Sequence, residues 1–174
     1  IGDYQPYLAF ALGAGETTVE RMVNAYAMLA NHGRQLSPRV MDYVQDRRGK
    51  VIWPENWRAC QGCNMGDWDG KAMPRFLPEG KQAMNPMTAY QVVHITEGVI
   101  QRGTATILRD LNRPLFGKTG TTNGPTNVWF VGGSPDIIAG VYMGYDTPRS
   151  MGGYAQGGRI AAPIWKQAMT PILE

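Results

Sequence analysis

A chain of 174 residues that is 43% hydrophobic has the size and composition of one ordinary globular domain or a large part of one, which excludes a disordered polymer. Its formal charge of +3 comes from Lys and Arg scattered along the chain, with no block or stripe that could follow a phosphate backbone, so no nucleic-acid partner is expected. Charged residues at 18%, with 22 Gly and 12 Pro, point to a loop-rich mixed fold, and no apolar run approaches the ~20 residues of a membrane-spanning helix.

In chain order, no targeting signal is visible from Ile1 onward, so any export signal is expected to be encoded elsewhere. Thr17-Thr18-Val19-Glu20 has the spacing of a capping box, which predicts a helix start with Thr17 as the cap and Glu20 as its reciprocal partner. Val19, Met22, Val23, Tyr26, Leu29 and Ala30 recur at helical spacing, and Gly33 offers a left-handed stop. Residues 40–45 and 50–53 are short β-prone runs around Asp46-Arg47-Arg48-Gly49 and read as a hairpin. Residues 54–85 are rich in Gly, Pro, Trp and charge without periodicity, and read as a long irregular insertion.

Asn85-Pro86 is a helix start with Pro at the first helical position, and residues 87–101 carry apolar side chains on most faces, which predicts a buried helix. Three runs follow, 115–122, 127–133 and 137–145, separated by the turn signals Asn123-Gly124-Pro125 and Ser134-Pro135-Asp136. They predict three sequential antiparallel strands. Ala162-Pro163-Ile164-Trp165 opens a closing helix expected to cover one sheet face and to stop near Met169, ahead of Thr170-Pro171. The fold class expected is therefore α/β of the α+β type, an antiparallel sheet packed by helices.

The segment with the most chemical content is Gly117-Lys118-Thr119-Gly120-Thr121-Thr122-Asn123, at the end of a predicted strand. A Lys-Thr-Gly triplet joins S-x-x-K and Ser-x-Asn in the signature set of penicillin-binding proteins and class A β-lactamases. With Trp129-Phe130-Val131-Gly132, Gly140-Val141-Tyr142-Met143-Gly144-Tyr145-Asp146 and Ala161-Ala162-Pro163-Ile164-Trp165, the segment resembles the C-terminal half of the transpeptidase domain in bifunctional class A penicillin-binding proteins. Gly13-Ala14-Gly15-Glu16-Thr17-Thr18 and Met22-Val23-Asn24-Ala25-Tyr26-Ala27 resemble the helix after that family's Ser-x-Asn loop, so the likeness covers nearly all of residues 1–174 outside the insertion at 54–85.

What the resemblance implies can be given physical content residue by residue. Lys118 would place a positive charge at the cleft mouth, drawing the carboxylate of a D-alanyl-D-alanine stem peptide or of a β-lactam. Thr119 and Thr121 would donate hydroxyl hydrogen bonds to that carboxylate, with Thr122 counted among the substrate-binding residues beside them. Gly120, lacking Cβ, would let a substrate backbone lie along the strand edge. The Thr121 N–H would be one donor of an oxyanion hole, where losing a single donor costs about 3 to 4 kcal/mol of barrier. Neither a metal nor a cofactor is implied. The longer protein is expected to crosslink peptidoglycan on the periplasmic side of the bacterial inner membrane, with a glycosyltransferase domain and a membrane anchor upstream.

Ser37, Ser134 and Ser150 are the only serines, and none has Lys three or Asn two positions later. The nucleophile and its base are thus absent, the simplest reading is a truncation downstream of both, and the chain alone is expected to be inactive. Removal of upstream helices is expected to uncover apolar surface and favour self-association. The family's acidic residues in the turn after the motif are also missing, their places held by Gly124 and Asn127. A non-catalytic module binding cell-wall peptide or a partner protein through the same strand is the alternative; a β-lactamase-like hydrolase fits the Trp-Phe-Val-Gly and Ala-Ala-Pro-Ile-Trp segments less well.

Cys60 and Cys63 form a C-x-x-C that suits half a zinc site, a redox pair or a small disulfide. His32 and His94 are far apart in sequence, and the pair lies in a loop, not at a strand-to-helix junction. A loop-tying disulfide in an oxidising periplasm is favoured over free thiols or an intermolecular metal. His94 is expected to be packed or exposed and not a base; Trp129, Trp165, Tyr142 and Tyr145 are expected in the core; Trp53, Trp57 and Trp68 are the candidates for an exposed recognition surface.

Overall fold

The computed structural model describes residues 6–54, 66–73 and 79–174. Cys60, Cys63 and Trp57 lie outside the described residues. In chain order the elements are α1 (Val19–Ala30), β1 (Arg34–Gln35), β2 (Val44–Gln45), β3 (Val51–Trp53), β4 (Lys81–Gln82), α2 (Pro86–Gln101), β5 (Phe116–Thr121), β6 (Asn127–Gly133), β7 (Ile138–Gly144) and α3 (Ala161–Leu173), with 3-10 turns at Leu8–Leu12 and Thr106–Leu111. The chain divides into two compact units, one of Ile1–Leu36 with Lys81–Glu174, the other of Ser37–Gly80.

In the larger unit, α1 begins one residue later than the capping box predicts. Thr18, in an extended conformation, is the N-cap, and its hydroxyl accepts from the Arg21 N–H at 3.2 Å. That frame puts Arg21 at the third helical position, so the Thr17 and Glu20 pairing does not form, and the Thr17 hydroxyl is buried without a partner. The helix ends as the glycine signal predicts: His32 and Gly33 both have positive φ, and the Gly33 N–H donates to the Met28 carbonyl at 2.8 Å. Gly33 is doubly constrained, because a Cβ there would stand 2.3 Å from the Met84 carbonyl oxygen. Its own carbonyl accepts from Ala83 and Met84, which joins α1 to the two-stranded β1–β4 ladder. Thus the end of the stretch expected to be irregular contains a strand.

Asn85 caps α2 by accepting from the Met87 N–H at 2.9 Å, with Pro86 at the first helical position. The expectation of a buried helix is overturned. Ala89, Gly98 and Ile100 are buried, but Met87, Tyr90 and Ile95 are exposed, so apolar character on most faces does not translate into burial on most faces.

The three strands predicted from the turn signals form one sheet in the order β5-β6-β7, antiparallel throughout. Its core contains Val128, Phe130, Leu115, Ile100, Leu108 and, from α3, Ala161, Ala162, Trp165 and Met169. The Trp165 and Phe130 rings pack in a T-shape with centroids 5.3 Å apart, and the Trp165 indole N–H donates to the Ala139 carbonyl of β7 at 3.1 Å, so α3 is fixed both by apolar burial and by one directed bond. The opposite face receives α1: Val19 and Val23 lie against Gly140, where any side chain would collide with them. The helix α3 does not stop at Thr170-Pro171 but runs on to Leu173. A proline in the last turn removes a single hydrogen bond, to the carbonyl four residues back, and that residue, Gln167, is exposed.

In the smaller unit, β2 and β3 pair antiparallel and the predicted hairpin is present, though shorter than predicted. The Asp46 carboxylate accepts from the Arg48 and Lys50 N–H groups at 2.8 and 3.0 Å, and Gly49 takes the positive φ that closes the turn. Trp53 and Trp68 are both exposed.

Candidate active site

Strand β5 carries Lys118, Thr119, Gly120 and Thr121 and, among the described residues, is paired on one side only. Beyond its end, the Thr122 N–H donates to the Asn127 carbonyl at 3.3 Å. Antiparallel partners alternate between pairs that exchange backbone bonds and pairs that do not. Counting back by twos, Gly120 with Trp129 and Lys118 with Val131 are the bonded pairs, while Thr121 with Val128 and Thr119 with Phe130 are the others. The N–H and C=O of Thr119 and Thr121 therefore point away from β6, to the unpaired edge. The Lys118 ammonium donates to the Thr119 carbonyl at 2.9 Å, as such an outward carbonyl allows. Lys118 is exposed, and among the described residues no carboxylate lies within ion-pairing distance of it.

The Thr119 hydroxyl lies 2.6 Å from the Thr104 hydroxyl, a residue that reading the sequence missed. The Thr121 hydroxyl accepts from the Gly157 N–H at 3.0 Å. Nothing local marks Thr104 or Gly157: they lie in connecting segments 15 and 36 residues from their partners. The Gly157-Gly158 doublet is a general sign of close backbone approach, but it does not point to β5. A Cβ at Gly157 would stand 2.5 Å from the Trp129 carbonyl and 2.7 Å from that of Gly120, so the doublet lies directly over the Gly120 and Trp129 pair. On the other sheet face a Cβ at Gly120 would meet the Trp129 Cβ at 3.1 Å. Space at Gly120 is thus limited by Trp129 on one face and by the Gly157 segment on the other.

The Thr122 hydroxyl is used within the turn. It accepts from the Thr126 and Asn127 N–H groups at 2.9 and 3.1 Å and fixes the link between β5 and β6. Tyr26 stacks on Phe116, the first residue of β5, at 6.3 Å, and burial raises its phenol above the ordinary range. His94 is exposed and pairs with Glu97 at 3.1 Å. Of the four aromatics expected in the core, Trp165 is there, and Trp129 is half-buried against Tyr142 at 4.9 Å. Tyr142, near the end of β7, and Tyr145, just past it, are exposed; Tyr145 lies under the Arg149 guanidinium at 3.8 Å. Among the described residues there is no group of His, Cys, Asp or Glu that could hold a metal ion, and no helix is long and apolar enough to cross a membrane.

Comparison with known proteins adds a family. The family model described as the penicillin binding protein transpeptidase domain matches residues 4–170. Penicillin-binding protein 1A of Rickettsia bellii is 38% identical over 168 residues, covering 95% of this chain and 21% of that protein. The Neisseria meningitidis protein of the same name is 37% identical over 166 residues, 93% of this chain and 18% of that one. Among solved structures, penicillin-binding protein 1A from Haemophilus influenzae superposes with a TM-score of 0.78 at 25% identity, covering 98% of this chain and 28% of that chain. The D,D-transpeptidase domain of a peptidoglycan glycosyltransferase from Eggerthella lenta shares the fold with a TM-score of 0.54 at 22% identity, over 90% of this chain and 33% of that chain. The chain spans about a fifth of the length of the curated relatives it matches.

Proposed function

The chain belongs to the penicillin-binding protein transpeptidase family, and on that premise we propose that it supplies the Lys-Thr-Gly side of a D,D-transpeptidase site that crosslinks peptidoglycan stem peptides at the periplasmic face of the inner membrane. Lys118 draws the terminal carboxylate of a D-alanyl-D-alanine peptide, or the carboxylate of a β-lactam, to the unpaired edge of β5. Thr119 and Thr121 donate their hydroxyl hydrogens to that carboxylate, and Gly120 lets the peptide lie along the strand as an added one. The outward N–H of Thr121 meets the developing oxyanion as a serine oxygen attacks the penultimate carbonyl. Thr122 serves by holding the turn that ends the strand. No cofactor is required, since acyl transfer moves only an acyl group and protons.

One observation carries this reading: Lys118, Thr119 and Thr121 stand together on an edge strand, with outward backbone groups and, among the described residues, no carboxylate within ion-pairing distance of the ammonium. The serine and its base belong to sequence this chain does not include, because Ser37, Ser134 and Ser150 lack the required Lys and Asn spacings. The chain by itself therefore forms no acyl-enzyme. Intact-mass measurement after incubation with penicillin tests both halves: the full-length protein containing this chain gains one penicilloyl group, and the 174-residue chain alone gains none. An adduct on the chain alone would refute the division of labour.

A further inference from the structure

We propose that Thr104 is a positioning residue of the carboxylate grip, acting through Thr119; the inference rests on the reading of β5 given above. Thr104 follows the end of α2 in a segment held from two sides. Toward the helix, a Cβ at Gly103 would stand 2.8 Å from the Val99 Cα, and the Ala105 N–H donates to the Val99 carbonyl at 3.0 Å. Toward the closing helix, Gly158 presses on the Thr104 backbone so closely that a Cβ there would stand 2.1 Å from the Thr104 carbonyl oxygen. The hydroxyl held in this clamp meets the Thr119 hydroxyl at 2.6 Å.

A threonine hydroxyl has one hydrogen and two acceptor positions. The Thr121 hydroxyl, accepting from the Gly157 N–H, keeps its own hydrogen free to donate. Thr104 gives Thr119 the same condition: when an anion takes the Thr119 hydrogen, the Thr104 hydrogen turns to the Thr119 oxygen and the two bonds reinforce each other. Both grip hydroxyls are then aimed by a neighbour that never touches the ligand. The donor for Thr121 is backbone and fixed; the donor for Thr119 is a side chain and can be removed without disturbing the chain trace.

The probes are a penicillin with a free carboxylate and its methyl ester, and the quantity is the ratio of their acylation rate constants in the full-length protein containing this chain. Thr119→Val collapses the ratio if the site is as proposed. Thr104→Val, nearly isosteric, lowers it about tenfold, the worth of one hydrogen bond to a charged-group partner, mainly through the free acid. Thr104→Ser keeps it within about twofold. A ratio unmoved by Thr104→Val but collapsed by Thr119→Val overturns the role of Thr104 and leaves the site reading intact. A ratio that neither variant moves overturns the site reading itself. Should Thr104→Val fail to fold, Thr104→Ser decides: a folded Ser variant that loses the ratio shows that the methyl group, not the hydroxyl, is needed, which also overturns the inference.

Discussion

Gly157 donates its backbone N–H to the Thr121 hydroxyl at 3.0 Å, tying the segment before α3 to the last residue of β5. The contact is feasible only for glycine, because a side chain would collide with two carbonyl oxygens of the sheet, those of Trp129 and Gly120. Gly157→Ala should therefore destabilise the chain by about 1 to 3 kcal/mol, the usual penalty of forced overpacking, read from urea denaturation. Wild-type stability in that variant would mean that the segment does not lie on the strand.

Lys118 is exposed and, among the described residues, bonds only to a carbonyl of its own strand, so its removal should separate function from stability. Lys118→Met is expected to leave the unfolding free energy within about 0.5 kcal/mol. In the full-length protein the same change should slow acylation by penicillin about ten- to a hundredfold, the worth of a hydrogen bond to a charged group. A stability loss as large as the loss of rate would make Lys118 a structural residue.

Trp165 tests the core. It is 1% exposed, edge-on to Phe130 and bonded to Ala139, so Trp165→Ala should cost about 3 to 5 kcal/mol. Trp165→Phe keeps an aromatic ring but leaves the Ala139 carbonyl without its donor, for a loss of about 1 to 3 kcal/mol. Equal losses from both variants would show that the indole bond contributes nothing.

Tyr26 gives the chain an alkaline dependence. Burial raises its phenol above the ordinary tyrosine range, so the folded state holds the proton more tightly than the unfolded state. The stabilisation is fully present below the unfolded value and is lost as pH rises through the folded one. Urea midpoints should accordingly fall with pH above the ordinary tyrosine range in the wild type, and fall less in Tyr26→Phe. Parallel curves for the two proteins would contradict the assignment.

The strands were legible because strong turn residues bound them: Asn123-Gly124-Pro125 and Ser134-Pro135-Asp136 leave the runs between little choice, and a strand followed by a tight turn must pair with its neighbour. The order Lys118, Thr119, Gly120 marks out the segment in the sequence, and the structure places it on β5. Less visible was anything that depends on choosing between adjacent candidates or on distance in sequence. Thr17 and Thr18 have the same capping chemistry, and the sequence alone does not choose between them; in the structure Thr18 is the cap. The strands β1 and β4 are two residues each, too short to show alternation, and they pair because Gly33 turns the chain toward residue 83. Met87, Tyr90 and Ile95 read as core by hydrophobicity, which says nothing about which neighbours a helix meets. Thr104 and Gly157 could be recognised only after folding, since a threonine and a glycine in connecting segments have no local feature pointing to β5.

The most direct measurement is a crystal structure of the full-length protein containing this chain, acylated by penicillin. The account predicts the bound carboxylate within hydrogen-bonding distance of the Thr119 and Thr121 hydroxyls, near the Lys118 ammonium, with the acyl carbonyl oxygen accepting from the Thr121 N–H. An acylated complex whose carboxylate lies away from β5, with Lys118 still folded onto the Thr119 carbonyl, would contradict it.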